Sequence, residues 1–578
     1  MDYKVSYQNW LNDDNIDDAT KEELRALTDE KEIEDRFYQP LAFGTAGMRG
    51  VIAAGENRMN IYTVRRATAG VARFLMDEGE DAMKKGVAIA YDSRHMSKEF
   101  AEEVASVLSA YSIQTYLYHD IRPVPMISFA IRQLGCAAGI MITASHNPKQ
   151  YNGYKVYGSH GGQMEPQDSD KVIDAISHIK SFGDIKTMEL KAARESGLLS
   201  AVPQEVDEAY FKLVNGLVLR PEIFDQVRED FKVVYTPLHG SGRMPVLRAF
   251  EDAGVPGVQV VKEQEMPDGD FCTVKVPNPE EPDALCAAID LAKACGADIC
   301  MGTDPDCDRM GAAIRCQSDG SFMILTGNQI GCILLDYILN ARKEKGTLPK
   351  NGAIIKTIVS TELATAMAES YDVTAFNVLT GFKYIAGLIG EFEKDHSHEY
   401  LFGFEESFGY MAGPFVRDKD AVQACLLMAE AAAWYKAQGL TPYEGLLRIY
   451  KQYGYYLERT ISAIFEGREG ADKMKAIMEN LRKDIPCKLG PYDVIAMRDY
   501  KIAKRMDVNS GDVTELSLPE SNVLYFELTD GGKFVMRPSG TEPKIKLYYG
   551  IKAKDEATAK SLLEELSTYV MKRYMEGD

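Results

Sequence analysis

Three aspartates at alternating positions are the residues of this chain most clearly suited to chemistry. Asp304, Asp306 and Asp308 lie in the stretch TDPDCDR, directly after an apolar run. Carboxylates packed this closely repel one another, so the spacing predicts that a hard divalent cation binds their oxygens. Three protein oxygens with an open coordination position fit Mg²⁺, which leaves room for a phosphate. A solvated acidic turn is the alternative interpretation.

Two other kinds of acidic loop do not fit this stretch. A calcium-binding EF-hand loop needs Gly at its sixth position and Glu at its twelfth, where this chain has Arg309 and Arg315. The predicted neighbours are also strands rather than helices. A DxDx[TV] site of the haloacid dehalogenase type is excluded as well, because its fifth position is occupied by Asp308.

A serine is the second candidate for chemistry. Ser145 lies in the stretch TASHNPKQYNGYK, which follows the apolar run Ala137 to Ile142. The run predicts a short buried strand that ends in Asn-Pro turn chemistry, with the hydroxyl at the end of the strand. A serine in this context is also typical of a plain turn or helix cap. No Gly-x-Ser-x-Gly elbow is present, so the sequence does not predict a hydrolase triad.

Several polar loops could bind a substrate. The stretch RPSGTEP, from Arg537, combines a guanidinium, two hydroxyls and a Gly-rich backbone, which suits a phosphate or forms an ordinary turn. Glu405 and Ser407 could hold sugar hydroxyls or cap the helix that follows them. Lys383 and Lys419 could add positive charge or could be ordinary surface lysines.

A repeated pattern of elements places these loops. The order strand, helix, strand, helix, strand occurs three times, with strands predicted at 87–91, 115–118, 137–142, 231–235, 258–261, 297–301, 353–359, 373–378 and 400–402. In each repeat the third strand is followed by a polar loop. The loop contains Ser145 in the first repeat, the three aspartates in the second, and Glu405 and Ser407 in the third. Ligands bind at the carboxyl ends of strands in open α/β sheets, so the repeat predicts one shared central cleft.

The rest of the chain differs from the repeat. An acidic, helix-prone arm covers 1–40, and a Gly-rich turn with Arg49 follows it. Beyond 460, a charged helix and strands around an Asp-Gly turn predict a smaller α+β unit. We therefore predict an α/β protein with an arm at 1–40, αβ domains with mixed sheets at 41–210, 211–325 and 326–460, and an α+β domain at 461–578.

Composition limits the partners and the compartment. Among 578 residues, 66 are basic and 87 acidic, a net charge of −21 that argues against nucleic acid or an anionic membrane as partner. The ten cysteines include no CxxC pair, the first residues lack an apolar signal region, and no run approaches the ~18 apolar residues of a membrane span. These features predict a cytoplasmic protein with reduced thiols, and they leave the oligomeric state undefined.

The loops with Ser145, the aspartates, Glu405 and Arg537, in this order, resemble those of the α-D-phosphohexomutase superfamily, in particular its phosphoglucomutase/phosphopentomutase branch. The resemblance extends from Phe43 to Tyr549. It implies that Ser145 is the phosphoserine, and that the three aspartates and a phosphoserine oxygen bind Mg²⁺.

The resemblance also implies roles for other residues. Arg49 and Lys155 match basic residues beside the phosphoserine for which a general acid/base role is proposed, and His146 is assigned a supporting catalytic role. The predicted substrate-binding set, in which Lys419 is included for its charge alone, is Arg309, Lys383, Glu405, Ser407, Lys419, Arg537, Ser539, Gly540 and Thr541.

The activity implied by the resemblance is an intramolecular phosphoryl transfer. Phosphorylated Ser145 would donate to a sugar monophosphate, and the bisphosphate formed would turn over and return its other phosphate. The expected substrates are glucose 1- and 6-phosphate, with glucose 1,6-bisphosphate as intermediate and activator. The alternatives are a phosphopentomutase, a phosphomannomutase or a glucose 1,6-bisphosphate synthase, and a non-catalytic sugar-phosphate-binding or Ca²⁺-binding protein.

Overall fold

The structure is a computed structural model that describes residues 2–44, 47–316, 319–465, 467–539 and 544–576, with the side chains of 467–469, 471 and 576 left out. The predicted phosphate-binding residues Gly540 and Thr541 lie outside these ranges. The chain divides into two compact units. The first unit comprises Met1–Gly327 and Ser407–Thr441, and the second unit comprises Asn328–Glu406 and Pro442–Asp578.

The arm at the start of the chain packs against the first αβ layer. Its helices are α1 (Tyr3–Asn12), α2 (Asp18–Arg25) and α3 (Glu30–Phe37). The Trp10 ring lies 5.7 Å from the Tyr62 ring in an edge-on contact, and Asp17, which caps α2, accepts a hydrogen bond from the Tyr62 hydroxyl at 2.5 Å. The arm is thus held by an aromatic cluster and a partly buried hydrogen bond.

The first sheet carries the serine loop. Its segment contains β1 (Met48–Val51), α4 (Ile61–Asp77), α5 (Glu80–Lys85), β2 (Val87–Tyr91), α6 (Ser97–Ala110), β3 (Thr115–Leu117), α7 (Val124–Leu134), β4 (Ala138–Ile142), β5 (Tyr151–Gly158), α8 (Pro166–Ser177), α9 (Leu190–Glu195) and β6 (Leu199–Ala201). The strand order is β1-β5-β4-β2-β3-β6, parallel from β4 to β6 and antiparallel at β5 and β1. Every residue of β2 and β4 is buried, as expected for parallel strands covered on both faces.

The second sheet carries the aspartate loop. Its segment contains α10 (Gln204–Asn215), α11 (Ile223–Gln226), β7 (Val233–Thr236), α12 (Arg243–Ala253), β8 (Val258–Val260), α13 (Lys262–Glu265), α14 (Pro282–Cys295), β9 (Ile299–Thr303), β10 (Met310–Arg315) and β11 (Phe322–Ile324). The strand order is β11-β10-β9-β7-β8. The pairs of β7 with β8 and β9 are parallel, and β10 pairs antiparallel with β9 and β11. The acidic loop connects β9 to β10.

The third repeat belongs mostly to the second unit. It contains α15 (Gly327–Glu344), β12 (Gly352–Thr357), α16 (Leu363–Glu369), β13 (Thr374–Val378), α17 (Phe382–Asp395) and β14 (Glu399–Glu405), with β12 parallel to both β13 and β14. The chain then returns to the first unit with β15 (Gly409–Met411) and α18 (Ala421–Ala437). Helix α18 is buried from Ala421 to Tyr435, which accounts for its almost uniformly apolar sequence.

The last part of the second unit is an antiparallel sheet with helices. It contains α19 (Pro442–Tyr453), β16 (Tyr455–Ile464), α20 (Gly467–Lys483), β17 (Lys488–Leu489), β18 (Tyr492–Asp499), β19 (Lys504–Asp507), β20 (Val513–Glu515), β21 (Leu524–Leu528), β22 (Lys533–Pro538), β23 (Lys544–Ala553) and α21 (Glu556–Val570). The strand order is β16-β23-β22-β21-β18-β19-β20, and β17 pairs with β18.

The predicted fold class is confirmed. Three αβ repeats with mixed sheets precede an antiparallel α+β unit, and the predicted strands shift by a few residues at their ends. The five-segment division at 40, 210, 325 and 460 stays a prediction. No helix among the described residues combines the length and the apolar character needed to cross a lipid bilayer.

Candidate active site

The serine loop and the aspartate loop of the first unit meet side chain to side chain. Ser145 follows β4, and Asp304 follows β9 on the other sheet of that unit. The Ser145 hydroxyl donates a hydrogen bond to Asp304 Oδ2 at 2.9 Å, and both side chains are buried. The structure therefore brings together two groups that are 159 positions apart in the chain.

Local hydrogen bonds hold Ser145 in an unusual backbone conformation. Its φ of 53° lies in the left-handed region, which a non-glycine residue adopts only where the surroundings impose it. The backbone N–H of Ser145 donates to Thr143 Oγ1 at 2.8 Å, and the Thr143 hydroxyl donates to Asp92 Oδ2 at 2.6 Å. Asp92 also accepts from the Ser97 hydroxyl at 2.7 Å. This chain of bonds positions the serine hydroxyl.

A buried arginine holds the rest of the serine loop. Arg94 donates hydrogen bonds from its two terminal nitrogens to the backbone carbonyls of Ser145, Asn147, Pro148 and Tyr151, at 2.5 to 3.1 Å. Its Nε lies 3.4 Å from Asp92 Oδ2, and neither side chain is exposed. The sequence prediction omitted Asp92 and Arg94 from the site, although their position after β2, at the carboxyl end of a central strand, was a usable signal.

We expect that Arg94→Ala unfolds the serine loop locally and destabilises the protein by about 3–5 kcal/mol, because the buried Asp92 loses its cation. The displaced loop is also expected to lower kcat by about 10²-fold or more. Urea unfolding and steady-state kinetics measure the two effects. The control is Arg248→Ala, which removes a half-exposed pair with Asp252 and should cost less than about 1 kcal/mol. Equal effects of the two substitutions would contradict the assigned role.

The three aspartates form the acidic centre predicted from their spacing. All three are buried, and one carboxylate oxygen of each lies within 4.8 Å of the others. Asp304 Oδ1 accepts the backbone N–H groups of Asp308 and Arg309, both at 3.0 Å. Burial and the carboxylates of Asp306 and Asp308 raise the pKa of Asp304 well above its ordinary value. Such an arrangement is costly unless positive charge compensates it.

The free oxygens of this centre fit a divalent cation. Asp306 Oδ1 and Asp308 Oδ1 are buried, and neither has a hydrogen-bond partner within the described ranges of the chain. Buried carboxylate oxygens are normally satisfied by hydrogen bonds or by a metal ion. An all-oxygen donor set is the one that Mg²⁺ prefers.

Two lysines supply positive charge to the acidic centre. Lys155 Nζ, on β5, lies 2.7 Å from Asp306 Oδ2 and 3.4 Å from Asp308 Oδ2. Although burial opposes it, the charge of Asp306 and Asp308 raises the pKa of Lys155, so its ammonium group stays protonated. Lys419 Nζ lies 3.1 Å from Asp308 Oδ2 and 2.8 Å from Asp418 Oδ1. Lys419, predicted as a nearby positive charge in the substrate-binding set, therefore contributes directly to the charge of the centre.

Two arginines lie at the edges of these loops. Arg309 pairs with Glu280, and its Nε lies 3.9 Å from Asp308 Oδ1. Arg49, on β1, is exposed and donates a hydrogen bond to Asn147 Oδ1 of the serine loop at 2.9 Å. Glu280 was absent from the sequence prediction, because nothing in the stretch NPEEP distinguishes it from a surface turn.

His146 contacts the serine but stays uncharged. Its Nδ1 lies 3.2 Å from Ser145 Oγ. Burial, together with the nearby charges of Arg309 and Arg49, lowers the pKa of His146 well below the ordinary 6.5. The imidazole is therefore neutral at and somewhat below pH 6.5, and it does not add a charge to the site in that range.

We expect His146→Gln to leave the shape of the pH profile of kcat/KM unchanged between pH 6 and 8, because the wild-type imidazole is already neutral there. The activity should fall by no more than about 10²-fold, as the substitution removes one contact to the serine. Profiles of both proteins, recorded at saturating metal, test this. An inflection near pH 6.5 that is present in the wild type and absent in the variant would contradict the lowered pKa.

The predicted sugar-binding residues lie at strand ends and a helix start. In the second unit, Glu405 at the end of β14 accepts the backbone N–H of Gly381 at 2.8 Å, just before α17. Lys383 lies in the first turn of α17, half-buried, with Nζ 5.1 Å from the centre of the Tyr384 ring. Glu405 thus binds the backbone just before α17, a helix that precedes Glu405 in the chain. Ser407 is half-buried and belongs to the first unit.

The predicted phosphate-binding residues of the last sheet are described in part. Arg537 is half-buried on β22, directly opposite Lys546 of β23. The backbone N–H of Ser539 donates to the carbonyl of Lys544 at 2.8 Å. Two cations therefore lie side by side on paired strands, next to the part of the loop that is not described.

Models of four protein domains match the chain along its length. They are the phosphoglucomutase/phosphomannomutase alpha/beta/alpha domains I, II and III, at residues 40–182, 208–317 and 326–453, and the C-terminal domain of the same family at 500–568. The matches follow the order of the three αβ repeats and the last sheet.

Similar proteins of known name cover most of the chain. The phosphoglucomutase of Staphylococcus epidermidis is 38% identical over 544 residues, which is 94% of this chain and 96% of that protein. The phosphoglucomutase of Staphylococcus saprophyticus is 37% identical over 551 residues, 95% of this chain and 97% of that protein.

Solved structures show the same fold at lower identity. A putative phosphomannomutase from Thermus thermophilus aligns with a TM-score of 0.67 at 21% identity, covering 92% of this chain and all of that one. The open form of parafusin, a phosphoglucomutase from Paramecium, aligns with a TM-score of 0.67 at 18% identity, covering 92% of this chain and 95% of that one.

Proposed function

The chain belongs to the phosphoglucomutase/phosphomannomutase family, and on this premise we propose that it interconverts glucose 1-phosphate and glucose 6-phosphate. The observation that carries the proposal is the contact between the Ser145 hydroxyl and Asp304 of the acidic centre, at 2.9 Å. The relatives that are 37–38% identical carry the name phosphoglucomutase, which favours glucose phosphates as substrates.

In this proposal Ser145 Oγ carries the phosphoryl group. The buried serine is held by Asp92, Thr143 and Arg94, so little reorganisation is needed when the group transfers. Asp304, Asp306 and Asp308, with an oxygen at Ser145, would hold Mg²⁺, which when bound neutralises phosphoryl charge and polarises the P–O bond.

The basic residues around the serine have two proposed roles, proton delivery and charge compensation. The Lys155 ammonium holds its proton beside Asp306 and Asp308, which suits it to deliver a proton to an oxygen that loses a phosphoryl group. Lys419 balances the charge of Asp308, and Arg49 and Arg309 lie at the ends of the two loops, where positive charge favours a phosphate.

In the proposed cycle Ser145 is phosphorylated at the start and again at the end. Phosphorylated Ser145 transfers its group to the free hydroxyl of the sugar monophosphate, forming glucose 1,6-bisphosphate. The bisphosphate reorients and returns its other phosphoryl group to Ser145 Oγ. We assign sugar recognition to Glu405, Ser407 and Lys383, and recognition of the non-reacting phosphate to the loop of Arg537, Ser539, Gly540 and Thr541.

A substrate panel tests this assignment. Initial rates are measured with the 1-phosphates of glucose, mannose and ribose, each with and without glucose 1,6-bisphosphate. We expect the highest kcat/KM for glucose 1-phosphate and activation by the bisphosphate, which restores phosphorylated Ser145 in enzyme that has lost it. A higher kcat/KM for the mannose or ribose compound, or net synthesis of bisphosphate as the main reaction, would overturn the glucose assignment.

A further inference from the structure

A series of alternating charges continues from the acidic centre into the segment before α18. Lys419 Nζ lies 3.1 Å from Asp308 Oδ2 and 2.8 Å from Asp418 Oδ1, so one ammonium group bridges a proposed metal ligand and a further carboxylate. Asp418 is buried, with 1% of its surface exposed, and it was absent from the site predicted from the sequence. The charges that surround the three aspartates therefore extend beyond Lys419.

Hydrogen bonds hold the Asp418 carboxylate in place. The Tyr157 hydroxyl donates to Asp418 Oδ2 at 3.1 Å, and the backbone N–H of Lys419 donates to Asp418 Oδ1 at 2.9 Å. Tyr157 lies two residues after Lys155 on β5, so the two side chains point to the same face of that strand. One strand therefore supplies both the ammonium group beside Asp306 and the hydroxyl that fixes Asp418.

The backbone around Lys419 is anchored on both sides. The backbone N–H of Arg417 donates to Ser128 Oγ at 2.8 Å, and the Asp420 carboxylate caps the start of α18. A Cβ atom added at Gly409 would lie 2.3 Å from Cδ of Lys419, so this glycine leaves the space that the lysine side chain occupies. The packing of the first unit thus fixes Lys419 between its two carboxylates.

We propose that Asp418 is a positioning residue that acts through Lys419 and adjusts the charge of the acidic centre to a divalent cation. The premise is the Mg²⁺ binding by this centre that is part of the proposed function. The three ionised carboxylates of the centre and that of Asp418, combined with the ammonium groups of Lys155 and Lys419, leave two negative charges in excess. This excess equals the charge of Mg²⁺, so the buried site is neutral when the cation is bound.

Neighbouring charges that form pairs of their own leave this balance unchanged. Arg309 pairs with Glu280, and Arg94 Nε lies 3.4 Å from Asp92 Oδ2, so each pair contributes no net charge. Arg49 is exposed, and water screens its charge. The charge of the centre therefore depends on the carboxylates and ammonium groups that contact one another in the interior.

The Asp418 carboxylate then has a defined effect on cation binding. Its loss would reduce the negative excess to one and would leave the Lys419 charge less compensated beside Asp308, so the site would attract Mg²⁺ less strongly. Loss of the Lys419 charge would have the opposite effect, because the negative excess would rise to three. Loss of both charges would restore an excess of two.

The test therefore compares Asp418→Asn, Lys419→Met and the variant with both substitutions. Mg²⁺ affinity is measured by calorimetric titration of the full chain without sugar, and circular dichroism checks folding. The double variant leaves neither charge of the pair buried without the other, so it should fold even where Asp418→Asn does not. The matched control is Asp298→Asn, which removes a half-buried carboxylate paired with Lys436 at the start of β9, at the opposite end of that strand from Asp304.

We expect Asp418→Asn to weaken Mg²⁺ binding by about tenfold or more, and the double variant to return to within about threefold of the wild type. Lys419→Met should bind Mg²⁺ at least as tightly as the wild type, and Asp298→Asn should match it. If Asp418→Asn unfolds, the double variant is compared with Lys419→Met and should bind Mg²⁺ about tenfold more weakly. A merely structural role predicts instead that the double variant is the weakest, because it loses both contacts.

The outcomes separate the role of Asp418 from the proposed function. Wild-type affinity in Asp418→Asn, or a double variant that binds Mg²⁺ as weakly as Asp418→Asn, would overturn the role of Asp418 alone. A wild type that does not bind Mg²⁺ would overturn the proposed metal site, and the role of Asp418 with it. Activity on sugar phosphates is not part of the readout.

Discussion

Ser145→Ala is expected to lower kcat for the conversion of glucose 1-phosphate to glucose 6-phosphate by at least about 10⁴-fold, because the only proposed carrier of the phosphoryl group is lost. The protein should remain folded, since the substitution removes one oxygen at a site whose backbone is held by Arg94 and Thr143. The neighbouring Thr143 hydroxyl is not expected to replace it, because Thr143 Oγ1 is engaged with Asp92 and with the Ser145 backbone.

The matched control is Ser109→Ala. Ser109 is also a buried serine of the first unit, and its hydroxyl has no hydrogen-bond partner in the part of the chain that the structure describes. Its loss should leave kcat within about threefold of the wild type. Mass spectrometry of the intact proteins adds a direct readout: wild type incubated with glucose 1,6-bisphosphate gains one phosphoryl group that substrate removes. An active Ser145→Ala enzyme would refute the assignment of the phosphoserine.

Asp306→Asn is expected to weaken Mg²⁺ binding by about 10²-fold or more and to lower kcat/KM by about 10³-fold. The amide keeps the size of the side chain but removes the charge that attracts both the cation and Lys155, whose ammonium lies 2.7 Å from Asp306 Oδ2. The buried Oδ1, which lacks a hydrogen-bond partner within the described ranges, no longer offers a charged ligand.

Calorimetric titration with Mg²⁺ measures the binding, and steady-state kinetics measure the activity. Asp319→Asn is the control, because this exposed aspartate lies on the connection between β10 and β11, outside the acidic centre. Removal of divalent ions by a chelator should abolish wild-type activity, and added Mg²⁺ should restore it. Unchanged Mg²⁺ affinity in Asp306→Asn would contradict the assignment of the metal ligands.

The order of the elements and the type of chemistry could be predicted because both depend on residues that are close together in the sequence. The buried strands β2, β4, β9 and β12 are apolar runs, and each ends where polar or Gly-rich residues begin. The alternating aspartates indicated a cation because repulsion between neighbouring carboxylates is a property of the stretch itself. Family resemblance then added roles for Arg49 and Lys155 that spacing alone did not define.

The partners of these residues required the tertiary structure. The position of Arg94 at the carboxyl end of β2 indicates a site residue but not its partners, and its guanidinium binds four backbone carbonyls of the serine loop. Lys419 was predicted only as a nearby charge, and the fold places it 3.1 Å from Asp308 Oδ2. Backbone carbonyls carry no sequence signal, so no pattern could have identified the first of these contacts.

The sequence by itself determined the three αβ repeats, the last sheet, and the residue types at the end of each strand. Only the tertiary structure decided that the Ser145 hydroxyl meets Asp304, that Lys155 pairs with Asp306, and that His146 stays neutral. The physical reason is the sequence separation over which each effect acts. Strand and turn preferences depend on a few neighbouring residues, whereas a hydrogen bond or a shifted pKa depends on which distant groups the packed sheets bring within a few ångströms.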